Sequence, residues 1–213
     1  MTISASYGTG GTYIARKAAK QLGFRMLDRA ISSRVAEQLN VSEEEAQAGK
    51  VERSPVKRLL RKLMPLTGEV IDTNDDDVPD TLLPHDAGLF RIASEAIMRE
   101  AFSDGVVILG RAASAAFRHE PGILRVRLFG STEARITQAA SLEGAEAKDV
   151  AKRLSEADHA RALYVRRLYG CDIDDPDLYH VQIDSTALPL DDCAGIITLA
   201  YAAMHRPSQP SAL

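Results

Sequence analysis

Hydrophobic positions along the chain fall into two patterns, short apolar runs and longer segments with helical spacing. Apolar runs predict strands at residues 1–4, 24–27, 106–109, 124–129 and 179–184. Helical spacing predicts helices between them, at residues 13–22, 29–39 and 89–102, a short helix ending at 118, and helices at 132–142, 148–169 and 190–205. Strands that alternate with helices in this way predict a parallel sheet covered on both faces, with right-handed crossovers.

Two of the predicted strands indicate their own place in the sheet. Residues 106–109 read Val-Val-Ile-Leu without a polar interruption, which is typical of a central parallel strand. Residues 124–129 alternate Leu and Val with arginine, which indicates a strand nearer an edge.

The segment 40–87 departs from the alternating pattern. It holds a capping-box sequence at 42–45, a basic amphipathic helix at 55–64 and an acidic stretch at 72–80. The basic helix fits a solvated helix over the core, or a surface for a partner or a membrane. The acidic stretch lacks the spacing of a calcium loop and is interpreted as solvated. We therefore predict an insertion at 40–87 in a core made of residues 1–39 and 88–213.

Bulk properties exclude several classes of protein. The 213 residues carry a net charge of -4 and only 5% aromatic residues, which argues against a nucleic-acid partner. No apolar run has the length of a membrane span, and the amino terminus lacks a secretory signal. Cys171 and Cys193 stand alone, so neither a disulfide framework nor a zinc site is indicated. We expect a cytoplasmic protein without a membrane partner.

A glycine-rich turn at residues 4–12 is the strongest chemical signal. It lies between the first strand and the first helix, which is the setting in which backbone amides and a helix amino terminus bind phosphate. The phosphate-loop pattern G-x-x-x-x-G-K-S/T is matched at Gly10 and Thr12, but Ala5 replaces the first glycine and Gly11 replaces the lysine. The turn is therefore either a phosphate loop or a helix entry without a ligand.

Charged residues at three further places are candidates for the same chemistry. Asp28 ends a strand, where it either faces a ligand crevice or caps the next helix. Arg111 follows the central strand and could hold a phosphate with two parallel donors. The helix 148–169 is rich in arginine; it is either an exposed helix with ion pairs such as Asp158–Arg161, or a lid that closes over phosphates.

Five separated segments, in order, resemble the cytidylate kinase-like family. Residues 3–11 resemble I-S-R-x-x-G-S-G-G, 22–28 resemble L-G-x-x-x-x-D, 107–113 resemble V-I-x-G-R-x-A, 158–164 resemble D-x-x-R-x-x-Y, and 179–186 resemble Y-D-L-x-I-N-T. The resemblance implies an α/β fold of the P-loop nucleoside monophosphate kinase type. This is a three-layer sandwich with a parallel sheet of about five strands, a helical acceptor-binding insertion and a lid at about residues 145–178.

The resemblance also implies ATP-dependent phosphoryl transfer with Mg²⁺, with CMP or dCMP as the suggested small-molecule acceptor. The residues that it places on the donor phosphates are Gly8, Thr9, Gly10, Gly11 and Thr12, with Arg167 as a looser candidate. It places Thr12 on the metal, Asp28 on the metal or the acceptor, Arg111 on the acceptor phosphate, and Arg161 in the lid.

Three departures from the family pattern bear on activity. Gly11 stands where true cytidylate kinases have lysine, Ala112 stands where they have aspartate, and Ala5 or Ser6 stands in place of the loop arginine. Lid Arg161 could supply the missing charge. The alternatives are a catalytically impaired nucleotide-binding module that acts as a sensor or interaction protein, and a fold relic that serves in protein association. The sequence does not indicate the oligomeric state.

Overall fold

The computed structural model describes residues 1–27, 86–102, 105–110 and 112–206. The predicted elements at 29–39, 42–45, 55–64 and 72–80 lie outside the described residues, as does the tail from residue 207. Contacts divide the chain into two units, Met1–Asp28 with Ala101–Leu213, and Arg29–Glu100. The predicted insertion at 40–87 therefore stays a prediction.

Strands and helices alternate along the described chain, within a few residues of the predicted bounds. The strands are β1 Thr2–Ala5, β2 Arg25–Leu27, β3 Val106–Leu109, β4 Arg125–Phe129 and β5 Val181–Asp184. The helices are α1 Gly11–Leu22, α2 Asp86–Phe102, α3 Ala113–Ala116, α4 Thr132–Glu143, α5 Ala147–Tyr169 and α6 Leu190–Met204, with a 3₁₀ turn at Pro176–Leu178. Helix α2 belongs to the second unit except for its last two residues.

The five strands form one parallel sheet in the order β2-β3-β1-β4-β5. This confirms the predicted parallel sheet. Strand β3 lies inside the sheet but one strand from its edge, whereas the sequence predicted a central position for it. Strand β1 lies in the middle, with Thr2 opposite Ile108 of β3 and Arg125 of β4. The turn after β1 therefore leaves the sheet at the centre of its carboxyl edge, where parallel sheets bind ligands.

Helices of the first unit cover the two faces of the sheet. Side chains of a strand point alternately to either face, so Ile3 packs with α1 and α6 while Thr2 points the other way. The Thr2 hydroxyl lies 3.0 Å from the Ser114 hydroxyl of α3. On that second face, Ala115 of α3 packs with Val165 of α5. The result is a three-layer α/β sandwich.

Strand β4 shows where the alternating pattern gave an incomplete interpretation. It lies one strand in from the edge, between β1 and β5. Its arginines, Arg125 and Arg127, share the face of α3 and α5 and are both buried. The alternation therefore reflects two buried faces, one apolar and one polar, and not a solvent-facing side.

Candidate active site: a glycine turn held by its carbonyls

The turn between β1 and α1 has the backbone shape of an anion-binding loop. Gly8 and Gly10 both adopt left-handed conformations, with φ of 84° and 69°. Residues with a side chain disfavour this region, so glycine at these positions allows the chain to reverse within a few residues. Gly10 directly precedes α1, and the turn therefore ends at the positive end of a helix dipole.

Side chains from two distant elements hold three consecutive carbonyls of the turn. Arg135 Nη1 of α4 donates to the Tyr7 carbonyl at 3.0 Å, and Gln138 Nε2 donates to the Gly8 carbonyl at 2.9 Å. Ser185 Oγ, just after β5, donates to the Thr9 carbonyl at 2.8 Å in a buried position. Side chains of the surrounding protein thus occupy all three carbonyl oxygens.

The amides at the start of α1 make no helical hydrogen bonds. The first helical bond of α1 runs from the Ile14 amide to the Gly10 carbonyl at 3.0 Å, so the amides of Gly11, Thr12 and Tyr13 precede it. Among the described residues, the amide of Gly10 also has no hydrogen-bond acceptor. Successive unpaired amides at a helix amino terminus form an anion site.

A Cβ at any of three glycines of the turn would lie within 3 Å of another group. A Cβ at Gly8 would lie 2.5 Å from the Arg135 carbonyl oxygen, and one at Gly10 would lie 2.9 Å from the Leu190 side chain. A Cβ at Gly11 would lie 2.5 Å from the Ala5 Cβ. Gly11 stands at the lysine position of the phosphate-loop pattern, and Ala5 stands at the first glycine. The two departures from the pattern therefore compensate each other in space.

Asp158 of α5 connects the turn to the arginine that the sequence placed in the lid. Its Oδ1 accepts from the Tyr7 amide at 2.9 Å and from Arg161 Nη1 at 3.2 Å. Its Oδ2 accepts from Arg135 Nη1 at 2.5 Å. Arg161 is 44% exposed at its side chain, and its guanidinium shares an acceptor with the turn. The structure therefore brings Arg161 to the glycine turn.

A second bridge joins Tyr7 to α4 and α5. The Tyr7 hydroxyl donates to Glu143 Oε1 at 2.8 Å, and Arg153 Nη2 lies 2.8 Å from Glu143 Oε2. Burial, and then the hydrogen bond to the Glu143 carboxylate, raise the pKa of Tyr7. Tyr7 thus remains a neutral donor at physiological pH.

Thr12 and Thr9, two further predicted site residues, lie on opposite sides of Gly10 in the chain. Thr12 lies in the first turn of α1 with its side chain exposed. Thr9 is buried, and its hydroxyl donates to the Ser6 carbonyl at 2.7 Å, so it shapes the turn from inside. Asp28 and Arg111, and the side chain of Arg167, lie outside the described residues. Their assigned roles stay predictions.

Several residues that build the turn carried no recognisable signal in the sequence: Arg127, Arg135, Gln138 and Ser185. Each acts on a residue more than 100 positions away in the chain. Only Gln138 and Arg135 share a helix, and their three-residue spacing could have identified one common face of α4.

An open groove of about 520 Å³ adjoins the turn. Leu190 contributes to the groove and would contact a Cβ at Gly10, and Gln138 contributes to it while holding the Gly8 carbonyl. Helix α4 and the β5–α6 connection line the groove: Ala134, Thr137, Gln138, Ser141, Leu142, Thr186 and 188–190.

Two findings concern metal ligands and membrane association in the described part of the chain. No group of three or more His, Cys, Asp or Glu side chains there is arranged to hold a metal ion. No helix there has both the length and the apolar character that a bilayer crossing requires.

A five-stranded parallel sheet in this order, with helices on both faces and a glycine turn after its central strand, defines the P-loop kinase fold of the nucleoside monophosphate kinase type. The chain belongs to the cytidylate kinase-like family, whose model matches residues 1–187. Family membership supports nucleotide-dependent phosphoryl transfer as the general class of activity, with ATP and commonly Mg²⁺ as the participants.

Solved structures of low sequence identity share the fold. An uncharacterized protein from Eubacterium ventriosum ATCC 27560 superposes with a TM-score of 0.65 at 16% identity, over 95% of this chain and 97% of that one. A gluconokinase from Sinorhizobium meliloti 1021 gives a TM-score of 0.50 at 15% identity, over 95% and 91% of the two chains. No curated protein matches the sequence.

Proposed function

We propose that the protein transfers the terminal phosphoryl group of ATP to a small acceptor, most readily a nucleoside monophosphate such as CMP or dCMP. One observation supports this most strongly. Side chains hold the carbonyls of Tyr7, Gly8 and Thr9, and the amides at the start of α1 have no helical acceptor. Such a turn binds an anion through backbone dipoles that are fixed before the ligand arrives.

The residues present fit a polyphosphate with its metal. The exposed Thr12 hydroxyl lies beside the amides of the turn, where it can complete the shell of a Mg²⁺ ion that the nucleotide phosphates hold. The bound ion would neutralise charge on the transferring phosphoryl group. Asp28 is proposed as a further partner of the metal or of the acceptor.

The groove beside the turn is proposed to take the base and sugar of the donor. Its volume of about 520 Å³ lies within the range of small-molecule sites. Its lining combines apolar Leu142 and Leu188 with polar Thr137 and Gln138. A ligand that fills the groove and binds the turn would span Leu190 and Gly10, which adjoin each other.

Guanidinium groups are proposed to supply the positive charge that lysine supplies in the common phosphate loop. Arg161 shares the Asp158 carboxylate with the Tyr7 amide, and its exposed side chain is proposed to turn toward a phosphate at the turn. Arg111 is proposed to hold the acceptor phosphate, and Arg167 to assist at the donor. Arginine suits these roles because its paired donors match phosphate oxygens.

A catalytically impaired nucleotide-binding module is the second candidate. The observation in its favour is the 2.5 Å approach of a Gly11 Cβ to Ala5, which leaves no space for the usual lysine without other changes. Such a module would bind ATP through the same amides and would turn it over slowly or not at all.

An acceptor panel separates the two candidates. Purified protein is incubated with Mg-ATP and CMP, dCMP, UMP, AMP or a non-nucleotide alcohol, and ADP and phosphorylated product are both measured. Transfer to a nucleoside monophosphate supports the proposal. ATP binding by calorimetry without transfer to any panel member supports the binding module, and absence of ATP binding contradicts both.

Two matched glycine variants show whether transfer depends on the turn. Gly8→Ala and Gly170→Ala both place a side chain in the left-handed region, at φ of 84° and 66°. Gly8 lies against the Arg135 carbonyl, whereas a Cβ at Gly170, which caps α5, would contact nothing within 4 Å. We expect Gly8→Ala to abolish transfer and Gly170→Ala to retain it. Equal activity in the two variants would contradict the role of the turn.

A further inference from the structure

Arg127 is a buried cation at the edge of the proposed phosphate site. It lies on β4 opposite Ser4 of β1, and its side chain is 7% exposed. Nη1 donates to the Ser4 hydroxyl at 3.1 Å, and Nη2 donates to the Ser6 hydroxyl at 2.9 Å. Ser6 is the first residue of the turn after β1. The guanidinium therefore reaches the turn from the neighbouring strand.

The anion that pairs with Arg127 lies largely in solvent. Nη2 contacts Asp174 Oδ1 at 2.6 Å, and the Asp174 side chain is 75% exposed. A buried charge needs a close counter-charge, whereas a carboxylate in water gains little from an ion pair. This asymmetry makes Asp174 an exchangeable partner for a guanidinium that is itself fixed.

The backbone around Asp174 is held, so exchange requires only a turn of its side chain. The Asp174 amide donates to Asp172 Oδ1 at 3.0 Å, and the Asp175 amide donates to the Asp172 carbonyl at 3.2 Å. The Tyr179 hydroxyl fixes the preceding residue through the Ile173 carbonyl at 2.6 Å. Burial raises the pKa of Tyr179, which keeps this donor protonated.

Arg125, two residues earlier on the same face of β4, differs from Arg127 in its partners. It is also buried, but its Nε donates to the Leu178 carbonyl at 2.9 Å, and burial lowers its pKa. Arg125 thus joins β4 to the 3₁₀ turn, and among the described residues its side chain makes no hydrogen bond or ion pair with the glycine turn. A buried arginine on β4 is therefore not in itself a ligand site; the position of Arg127 beside Ser6 distinguishes it.

We propose that Arg127 is a substrate-binding residue whose guanidinium exchanges the Asp174 carboxylate for a phosphate oxyanion of a substrate bound at the turn. The inference rests on the proposed function. Asp174 meets the guanidinium through one oxygen, Oδ1, on Nη2. A phosphate oxyanion in the same place would keep that charge-assisted hydrogen bond and offers further oxygens to the fork. The oxyanion belongs either to the donor triphosphate or to the acceptor monophosphate, and the experiment distinguishes the two.

Asp174→Asn tests the exchange at an exposed side chain and leaves a neutral carbonyl oxygen to accept from Arg127. Calorimetry measures the affinity of wild type and variant for Mg-ATP and, separately, for CMP. Removal of the competing charge is expected to tighten binding of the ligand that uses Arg127 by about two- to fivefold, which is the factor that an exposed ion pair represents. A gain for Mg-ATP identifies the donor phosphate, and a gain for CMP identifies the acceptor phosphate.

Asp177→Asn is the charge control. It removes the same charge three residues away, from a carboxylate that is not among the contacts of Arg127. We expect no more than a minor gain in affinity from this variant. An equal gain in both variants would indicate long-range electrostatics and would overturn the proposal, as would unchanged or weaker binding in Asp174→Asn.

Arg127→Gln and Arg125→Gln complete the test. In a folded Arg127→Gln protein, ligand affinity is expected to fall and the added Asp174→Asn change to give no gain. Arg125→Gln is expected to retain wild-type affinity. If wild type binds neither ATP nor CMP, the proposed function fails together with this inference. If wild type binds and Asp174→Asn gives no gain, only this inference fails.

Discussion

The contact between Ala5 and Gly11 leads to a specific prediction about the stability of the turn. Gly11→Ala would place two Cβ atoms 2.5 Å apart, whereas carbon atoms prefer a separation of about 3.5–4.0 Å. Both atoms are attached directly to the backbone, so relief requires β1 or α1 to move. Overpacking of this kind costs about 1–3 kcal/mol. Alanine recovers up to about 1 kcal/mol because it favours a helix more than glycine does. We therefore expect the free energy of unfolding to fall by about 1–2 kcal/mol.

Ala5→Gly should relieve this clash. By itself it removes a methyl group and frees the chain, at a cost of about 1 kcal/mol. The double variant has a Cβ at residue 11 but none at residue 5, so the clash is absent. The two changes should therefore show a favourable coupling free energy of about 1–3 kcal/mol. Unfolding of wild type, both single variants and the double variant by denaturant measures the coupling as a double-mutant cycle.

A control cycle uses Gly195 in place of Gly11. Gly195 is also a helical glycine, in α6, but a Cβ there would contact nothing within 4 Å. Ala5→Gly and Gly195→Ala should therefore be additive. Additivity within about 0.5 kcal/mol in the Gly11 cycle as well would refute the reasoning.

The same double-mutant cycle can be made with lysine at residue 11. Gly11→Lys alone should destabilise the protein as Gly11→Ala does, because the clash arises at Cβ. Combined with Ala5→Gly, it restores both residues of the phosphate-loop pattern. We expect this double variant to fold and to bind Mg-ATP more tightly than wild type, because an ammonium group joins the amides.

Three other predictions follow from the site and its surroundings. Arg161→Ala should lower the steady-state rate of phosphoryl transfer about tenfold or more, because it removes one charge-assisted contact. The control is Arg153→Ala, on the same helix and with similar exposure, and its rate should stay near that of wild type. Burial and the nearby Arg125 charge lower the pKa of His180, whose Nδ1 accepts from the Arg125 amide at 3.2 Å. The folded state therefore binds its proton less readily than the unfolded state, and stability should fall as pH drops below about 6.5. His180→Asn, which keeps an acceptor, should lose less in melting temperature between pH 7.5 and 5; an equal loss contradicts the assignment. Ala112 has a left-handed φ of 52°, so Ala112→Gly should raise stability by about 0.5–1 kcal/mol in chemical unfolding, whereas Ala115→Gly in α3 should lower it by about 1 kcal/mol. A loss in Ala112→Gly would refute the strain.

Local sequence patterns predicted the elements and the glycine turn. The apolar run of β3 indicated an interior strand because both its faces are buried. An Asp158–Arg161 ion pair belonged to one of the two interpretations of the arginine-rich helix, on the basis of its three-residue spacing, and the structure shows the contact at 3.2 Å. What the spacing could not indicate was the third partner, the Tyr7 amide, which is 151 residues away from Asp158.

The supports of the turn could not be predicted for the same reason. Gln138 and Ser185 reach the turn only after the strand order is set, and no local pattern fixes the order β2-β3-β1-β4-β5. The sequence likewise showed two departures at Ala5 and Gly11 as independent defects. Their compensation is a matter of one distance between Cβ positions, and only a structure gives that distance.

The central claim is that backbone amides of the turn hold the donor phosphates although the lysine is absent. Proton–nitrogen NMR spectra of labelled protein, recorded with Mg-ATP and with adenosine, test it directly. We predict that Mg-ATP moves the amide protons of Gly10, Gly11 and Thr12 strongly downfield, as expected for new hydrogen bonds to an anion, and that adenosine does not. Binding of Mg-ATP that perturbs other amides and leaves these three unchanged would contradict the claim.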